Sequence, residues 1–248
     1  MSRARLYANL ATLANAAVGV GSVAYVLAGN KLWAMLLIAS GIAFDGLDGV
    51  LSRRAGGPAS TFGRYADSAA DAITFGIAPA MLLAVHTDQP QAWAVFTPGI
   101  YVFAGLYAVC AFTRLVRFST AGYRRSSFLG VPTPQAALSV ILLVLFADVP
   151  GYLGTFPPLV LLGATAAAVM MLVPLPFPKI RRGAPLRRES IVTAVAIAAA
   201  LVPLQLRLAP GSVAFLATEV AAGVAAAGVV AYYVAGPILL KKRGEDDR

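Results

Sequence analysis

Eight apolar stretches, at about 9–29, 32–52, 66–86, 92–113, 135–150, 156–174, 190–206 and 211–236, take up most of this 248-residue chain. Each is close to the roughly 20 residues a helix needs to cross the hydrocarbon core of a bilayer. A water-soluble fold would intersperse apolar and polar residues at helical or strand spacing. Here 59% of the residues are apolar and only 12% charged, and the apolar ones come in blocks. Inside lipid the backbone has to satisfy its own hydrogen bonds, which long helices do. The expectation is an all-α integral membrane protein, a polytopic bundle of about eight transmembrane helices with both termini cytoplasmic. The whole chain, 1–248, reads as a single transmembrane domain.

The formal charge of +9 does not point to nucleic acid, because no soluble basic module with interleaved aromatic residues is present to carry such binding. It has a topological explanation. With a cytoplasmic N-terminus and eight spans, 18 of the 20 lysines and arginines fall on the inner side, and only Lys31 and Arg207 fall outside. That is the bias expected of cytoplasmic loops. The first stretch carries Asn9 and Asn15 and reads as a retained helix rather than a cleaved leader. The loop at 175–189, with PLPFP followed by KIRRGAPLRR, reads as a hinge between spans 1–6 and spans 7–8. The lone cysteine, Cys110, reads as a small buried apolar residue. Trp33 and Trp93 read as interfacial anchors, and His86 as an interfacial residue.

Against this background four acidic residues stand out. Insertion of an Asp in a bilayer costs about 2.5 to 3.5 kcal/mol, so four in neighbouring spans require compensation. Asp45 and Asp48, in FDGLDGVLSR, are three apart and share a helix face near the inner end of span 2. Asp67 and Asp71, in GRYADSAADAITFG, are four apart near the start of span 3. The connection at 53–65 is short, so the two pairs face each other across antiparallel neighbours. A ligand set made only of carboxylate oxygens suits a hard divalent cation, Mg²⁺ or Mn²⁺, of the kind that bridges phosphates. Gly46, Gly49 and Gly63 remove bulk beside the acids and allow a diphosphate to approach the backbone. Arg114 and Arg117, three apart at the inner end of span 4, can both project toward one pocket and suit a phosphate or a carboxylate. Arg124 and Arg125 read as ordinary positive-inside anchors. Glu219, alone in span 8, reads as facing the bundle interior.

These residues resemble the signature of the CDP-alcohol phosphotransferase family, D-x-x-D-G-x-x-A-R followed by G-x-x-x-D-x-x-x-D. Here it stands as Asp45, Asp48, Gly49, Ser52, Arg53, Gly63, Asp67 and Asp71. Ser52 takes the place of the usual alanine, and nine residues rather than eight separate Arg53 from Gly63. Counting back from Gly63 favours Arg54 as the signature arginine, whereas helix geometry favours Arg53, because Arg54 points to nearly the opposite face from Asp45. Further segments look most like membrane-embedded phosphatidylserine synthases: NLATLAN at 9–15, DSAADAITFGIAPA at 67–80, TRLVRFS at 113–119 and FLGVPTPQAA at 128–137.

The resemblance implies a transferase of phospholipid biosynthesis with a catalytic core at about 9–174 and two additional C-terminal spans at about 190–236. It implies transfer of a phosphatidyl group from CDP-diacylglycerol to L-serine, giving phosphatidylserine and CMP. Asp45, Asp48, Asp67 and Asp71 would hold the divalent cations, and Asp71 would be the catalytic base. Gly49, Arg53 and Gly63 would line the nucleotide diphosphate pocket, with Arg114 and Arg117 as further substrate-binding residues. It also implies a homodimer in a bacterial cell membrane, with the active site facing the cytoplasm. Other acceptors, such as glycerol phosphate or an inositol phosphate, remain as alternatives within the family. An ion-coupled transporter is the alternative outside it, disfavoured because the acids cluster at one end of the spans rather than through their depth.

Overall fold

In a computed structural model of the chain, residues 3–54, 61–87, 97–121, 127–148 and 157–178 are described, together with a C-terminal helical segment at 226–234 and isolated positions around it. The seventh apolar stretch, the basic residues at 179–188 and 241–248, and Arg124, Arg125, Trp93 and Glu219 lie outside the described residues.

Among the described residues, four helices are long and apolar enough to cross a bilayer: residues 5–27, 31–52, 62–85 and 99–120. They coincide with the first four apolar stretches, and the protein is an integral membrane protein. Two shorter apolar helices stand where the fifth and sixth stretches were expected. In chain order the elements are α1 (Arg3–Leu27), α2 (Lys31–Arg54), α3 (Thr61–Asp71), a π-helical turn (Ala72–Ile77), α4 (Ala78–Thr87), α5 (Thr97–Ala121), β1 (Ser127–Leu129), α6 (Thr133–Asp148), α7 (Pro157–Leu172) and β2 (Pro176–Pro178). The helices overrun the apolar blocks: α1 starts well before residue 9, and α5 continues two turns past residue 113. Hydropathy marks the part of a helix that lies in lipid, whereas the hydrogen-bonded helix continues into the polar region. The short antiparallel ladder pairing Phe128 with Phe177 was not expected from sequence.

α1 and α2 form the most extensively packed pair. Their reversal is tight because Gly29 adopts a left-handed φ of 75°. Asn30 then caps α2, its side-chain oxygen accepting from Trp33 N–H at 3.2 Å. Trp33, at this end of the span, stacks on Tyr25 with ring centroids 5.9 Å apart. Glycine sets how closely the helices approach deeper in the bundle. A Cβ added at Gly19 or at Gly41 would collide with Thr74, so α1 and α2 admit the π turn between them. Phe75, Leu82, Tyr107, Ile141 and Met171 are among the largest fully buried side chains, and Cys110 is buried with them. Leu10, Leu13, Val20, Val102 and Val109 are exposed, as expected of surfaces that face acyl chains.

One loop matters for the site. Gly130 has φ 81°, its N–H bonds Leu175 O at 2.9 Å, and Val131 N–H bonds Met170 O at 2.9 Å. These bonds tie the start of α6 to the end of α7. A Cβ on Gly130 would run into the carbonyl of Met171, and the left-handed φ is itself unfavourable for other residues. Gly130→Ala is therefore expected to destabilise the protein by about 2 kcal/mol or more, read as a lower melting temperature in detergent.

Candidate active site

Asp45 lies on α2, and Asp67 and Asp71 lie on the last turns of α3. One carboxylate oxygen from each falls within 4.8 Å of the others, so the two acidic pairs do converge between antiparallel neighbours. Asp48 does not join this trio. Thr12 of α1 engages it, donating from Oγ1 to Asp48 Oδ2 at 2.9 Å, while Asp48 remains a close neighbour of Asp67. Asp45, Asp67 and Asp71 thus form the tightest group, with Asp48 beside Asp67 and also bonded by Thr12.

Asp71 is almost fully buried, at 8% exposure, and Asn15, completely buried, donates from Nδ2 to Asp71 Oδ1 at 2.9 Å. Asn15 is itself pinned, since Thr74 of the π turn donates from Oγ1 to Asn15 O at 2.9 Å. The π turn starts at the residue after Asp71 and is marked by the Ala78 N–H bonding back to Ile73 O. An inserted turn of this kind shifts the register of everything after it. Here Asp71 faces the acids while Thr74 reaches α1 and the carbonyl of Phe75 accepts from Tyr107 Oη at 3.1 Å. Ser68, the residue after Asp67, is 2.6 Å from Ser119 of α5, which ties that helix to the acidic turn.

The donor set fits a divalent cation on two grounds. It is made of hard carboxylate oxygens, and Asp67 Oδ1 is buried with no hydrogen-bond partner among the described residues. A buried carboxylate oxygen left without a donor is costly and calls for a cation. At Gly46, next to Asp45 in α2, an added Cβ would meet nothing within 4 Å.

The two arginines of α5 part company. Arg114 is buried, donates from Nη1 to Thr133 Oγ1 at 3.1 Å, and has Asp71, Tyr232 and Asp45 as its charged or ionisable neighbours. Arg117 is exposed and donates from Nη1 to Leu172 O at 3.2 Å, at the C-terminal end of α7. The single pocket expected for both is therefore corrected. Although the two share one side of α5, Arg117 lies about 60° around from Arg114 at the exposed edge, where it satisfies a carbonyl at the end of α7. Gly49 and Gly63 are partly buried on the elements that carry the acids, and Arg54 is exposed at the end of α2. The side chain of Arg53 lies outside the described residues.

Residues 5–177 match the family described as CDP-alcohol phosphatidyltransferase. The chain belongs to that family. Among its relatives, a CDP-diacylglycerol-serine O-phosphatidyltransferase of Mycobacterium leprae is 34% identical over 139 residues, covering 52% of this chain and 43% of the relative. A protein of the same name from Bacillus subtilis is 29% identical over 182 residues, covering 72% and 93%. An archaetidylserine synthase of Methanothermobacter thermautotrophicus is 32% identical over 134 residues, covering 53% and 54%. The match spans a little under half the length of the mycobacterial relatives. The family match includes both acidic pairs and Arg114 but ends before the helical segment at 226–234.

Sequence reasoning missed Thr12, Asn15, Thr74 and Thr133. A signal existed for the first two, since polar residues three apart within an apolar span are costly unless they meet partners.

Proposed function

We propose that this protein transfers a phosphatidyl group from CDP-diacylglycerol to L-serine, releasing CMP and forming phosphatidylserine. The observation that carries the proposal is the convergence of Asp45, Asp67 and Asp71 within 4.8 Å, with Arg114 beside Asp71. The names of the relatives support serine as the acceptor.

Asp45, Asp67 and Asp71, with Asp48 alongside, would hold Mg²⁺ or Mn²⁺. Bound there, the ion supplies charge neutralisation for the diphosphate and for the departing CMP. Gly49, Arg53 and Gly63 line the nucleotide side. Asp71 accepts the proton of the serine hydroxyl, whose oxygen bonds to the lipid-side phosphorus as the bond from that phosphorus to the CMP oxygen breaks. Asn15 orients the Asp71 carboxylate through its amide. Arg114, steadied by Thr133, presents donors to the serine carboxylate. The acids sit in the second half of α2 and the last turns of α3, a level of the bundle that we assign to the cytoplasmic side, where serine enters and CMP leaves while the acyl chains stay in lipid. The family resemblance supports a homodimer in a bacterial cell membrane.

The test is CMP release from CDP-diacylglycerol by purified protein, with serine, glycerol phosphate and inositol phosphate compared, with and without Mg²⁺ or Mn²⁺. Metal-dependent release driven by serine is expected. Release driven by a phosphorylated alcohol would reassign the acceptor, and no release with any alcohol would refute the transferase reading.

A further inference from the structure

The segment at 226–234 lies beyond the residues matched to the family, yet it packs into the core that encloses the site. Val229 and Tyr232 are each only 7% exposed and belong to the same buried cluster as Ala136, Val140 and Ile141 of α6. Tyr233 Oη is 3.2 Å from Ser139 Oγ of α6, and the two tyrosine rings meet edge to face with centroids 6.5 Å apart. The Tyr233–Ser139 hydrogen bond thus fixes the segment to α6, while Val229 and Tyr232 are buried in the common apolar core. The same helix carries Thr133, the residue that holds Arg114. Ser139 lies roughly 9 Å further along, at 1.5 Å per residue.

This docking brings the Tyr232 phenol into the surroundings of the Arg114 guanidinium, whose other neighbours are Asp71 and Asp45. A buried tyrosine normally places its hydroxyl where a polar partner waits, and a phenol both donates and accepts. Leucine or phenylalanine would fill the same apolar space. A phenol within electrostatic reach of that cation can act on the anion it holds.

We infer that Tyr232 is a specificity-determining residue for the acceptor, its hydroxyl completing with Arg114 the subsite for the acceptor's anionic group. The inference rests on the proposed transferase reading and adds that the chain outside the family match contributes to acceptor recognition. Tyr233, bonded to Ser139, anchors the segment and has no part in that subsite.

The experiment compares wild type, Tyr232→Phe and Tyr233→Phe in detergent, measuring CMP release against both substrates and the melting temperature of each protein. Losing one hydrogen bond to a charged group is worth roughly a tenfold change in affinity. The expected result is that Tyr232→Phe raises the KM for serine about tenfold, with kcat and the KM for CDP-diacylglycerol within about twofold of wild type. Tyr233→Phe lowers the melting temperature and leaves the serine KM unchanged. If Tyr232→Phe does not accumulate as folded protein, Tyr232→Leu provides the same comparison. An unchanged serine KM in the Tyr232 variant, or equal shifts in both KM values, would overturn the inference. Should wild type prove to use another alcohol, serine as acceptor fails, and the same split measured for that alcohol decides the role of Tyr232 separately.

Discussion

Asp71→Asn is expected to lower kcat for CMP release by roughly 10² to 10⁴, the range by which a positioned general base accelerates a reaction. The substitution preserves shape and can still hydrogen-bond Asn15, so the fold around it should persist. What disappears is the carboxylate that takes the hydroxyl proton. Asp71 suits this role by position: it is buried, its Oδ1 is held by Asn15 at 2.9 Å, and another of its neighbours is Arg114. A folded variant with kcat near wild type would remove Asp71 as the base.

Arg114→Lys is expected to raise the KM for serine about a hundredfold, with a smaller effect on kcat. Lysine retains a positive charge near Asp71 and Asp45, so the buried acids keep a cation and the protein should fold. It loses the planar fork that can bond Thr133 and a carboxylate together, and an ammonium is more strongly hydrated than a guanidinium. The expected partition between KM and kcat distinguishes recognition of the acceptor from general support of the acids. Steady-state kinetics over serine at saturating CDP-diacylglycerol would read it. Equal loss with all alcohols, including those without a carboxylate, would contradict the assignment.

The contrast between Arg114 and Arg117 also indicates what can be read from a sequence of this kind. The spacing of Asp45 with Asp48 and of Asp67 with Asp71 was enough to bring acids from two helices together, because a short connection leaves antiparallel neighbours little choice of depth. The first four spans were legible for a similar reason: in lipid, apolar length leads directly to helix. Spacing could not say how far each helix turns about its axis once packed. That rotation puts Arg114 inside and Arg117 on the α7 carboxyl end, and it gives Asp48 to Thr12. The π turn after Asp71 was also hidden, since nothing in the sequence AITFGI specifies an inserted residue, and the turn is held by tertiary partners at Asn15, Gly19, Gly41 and Tyr107. Tyr232 was harder still, because its neighbourhood with Arg114 depends on a distant segment docking against α6.

Whether the acids of α2 and α3 share a divalent cation is tested most directly, without relying on turnover, by Mn²⁺ binding to the purified protein followed by electron paramagnetic resonance in detergent. Wild type is expected to bind Mn²⁺, and Asp45→Asn and Asp67→Asn each to weaken that binding at least about tenfold, a loss of roughly 1.4 kcal/mol. Folded variants that bind Mn²⁺ as tightly as wild type would contradict a shared cation.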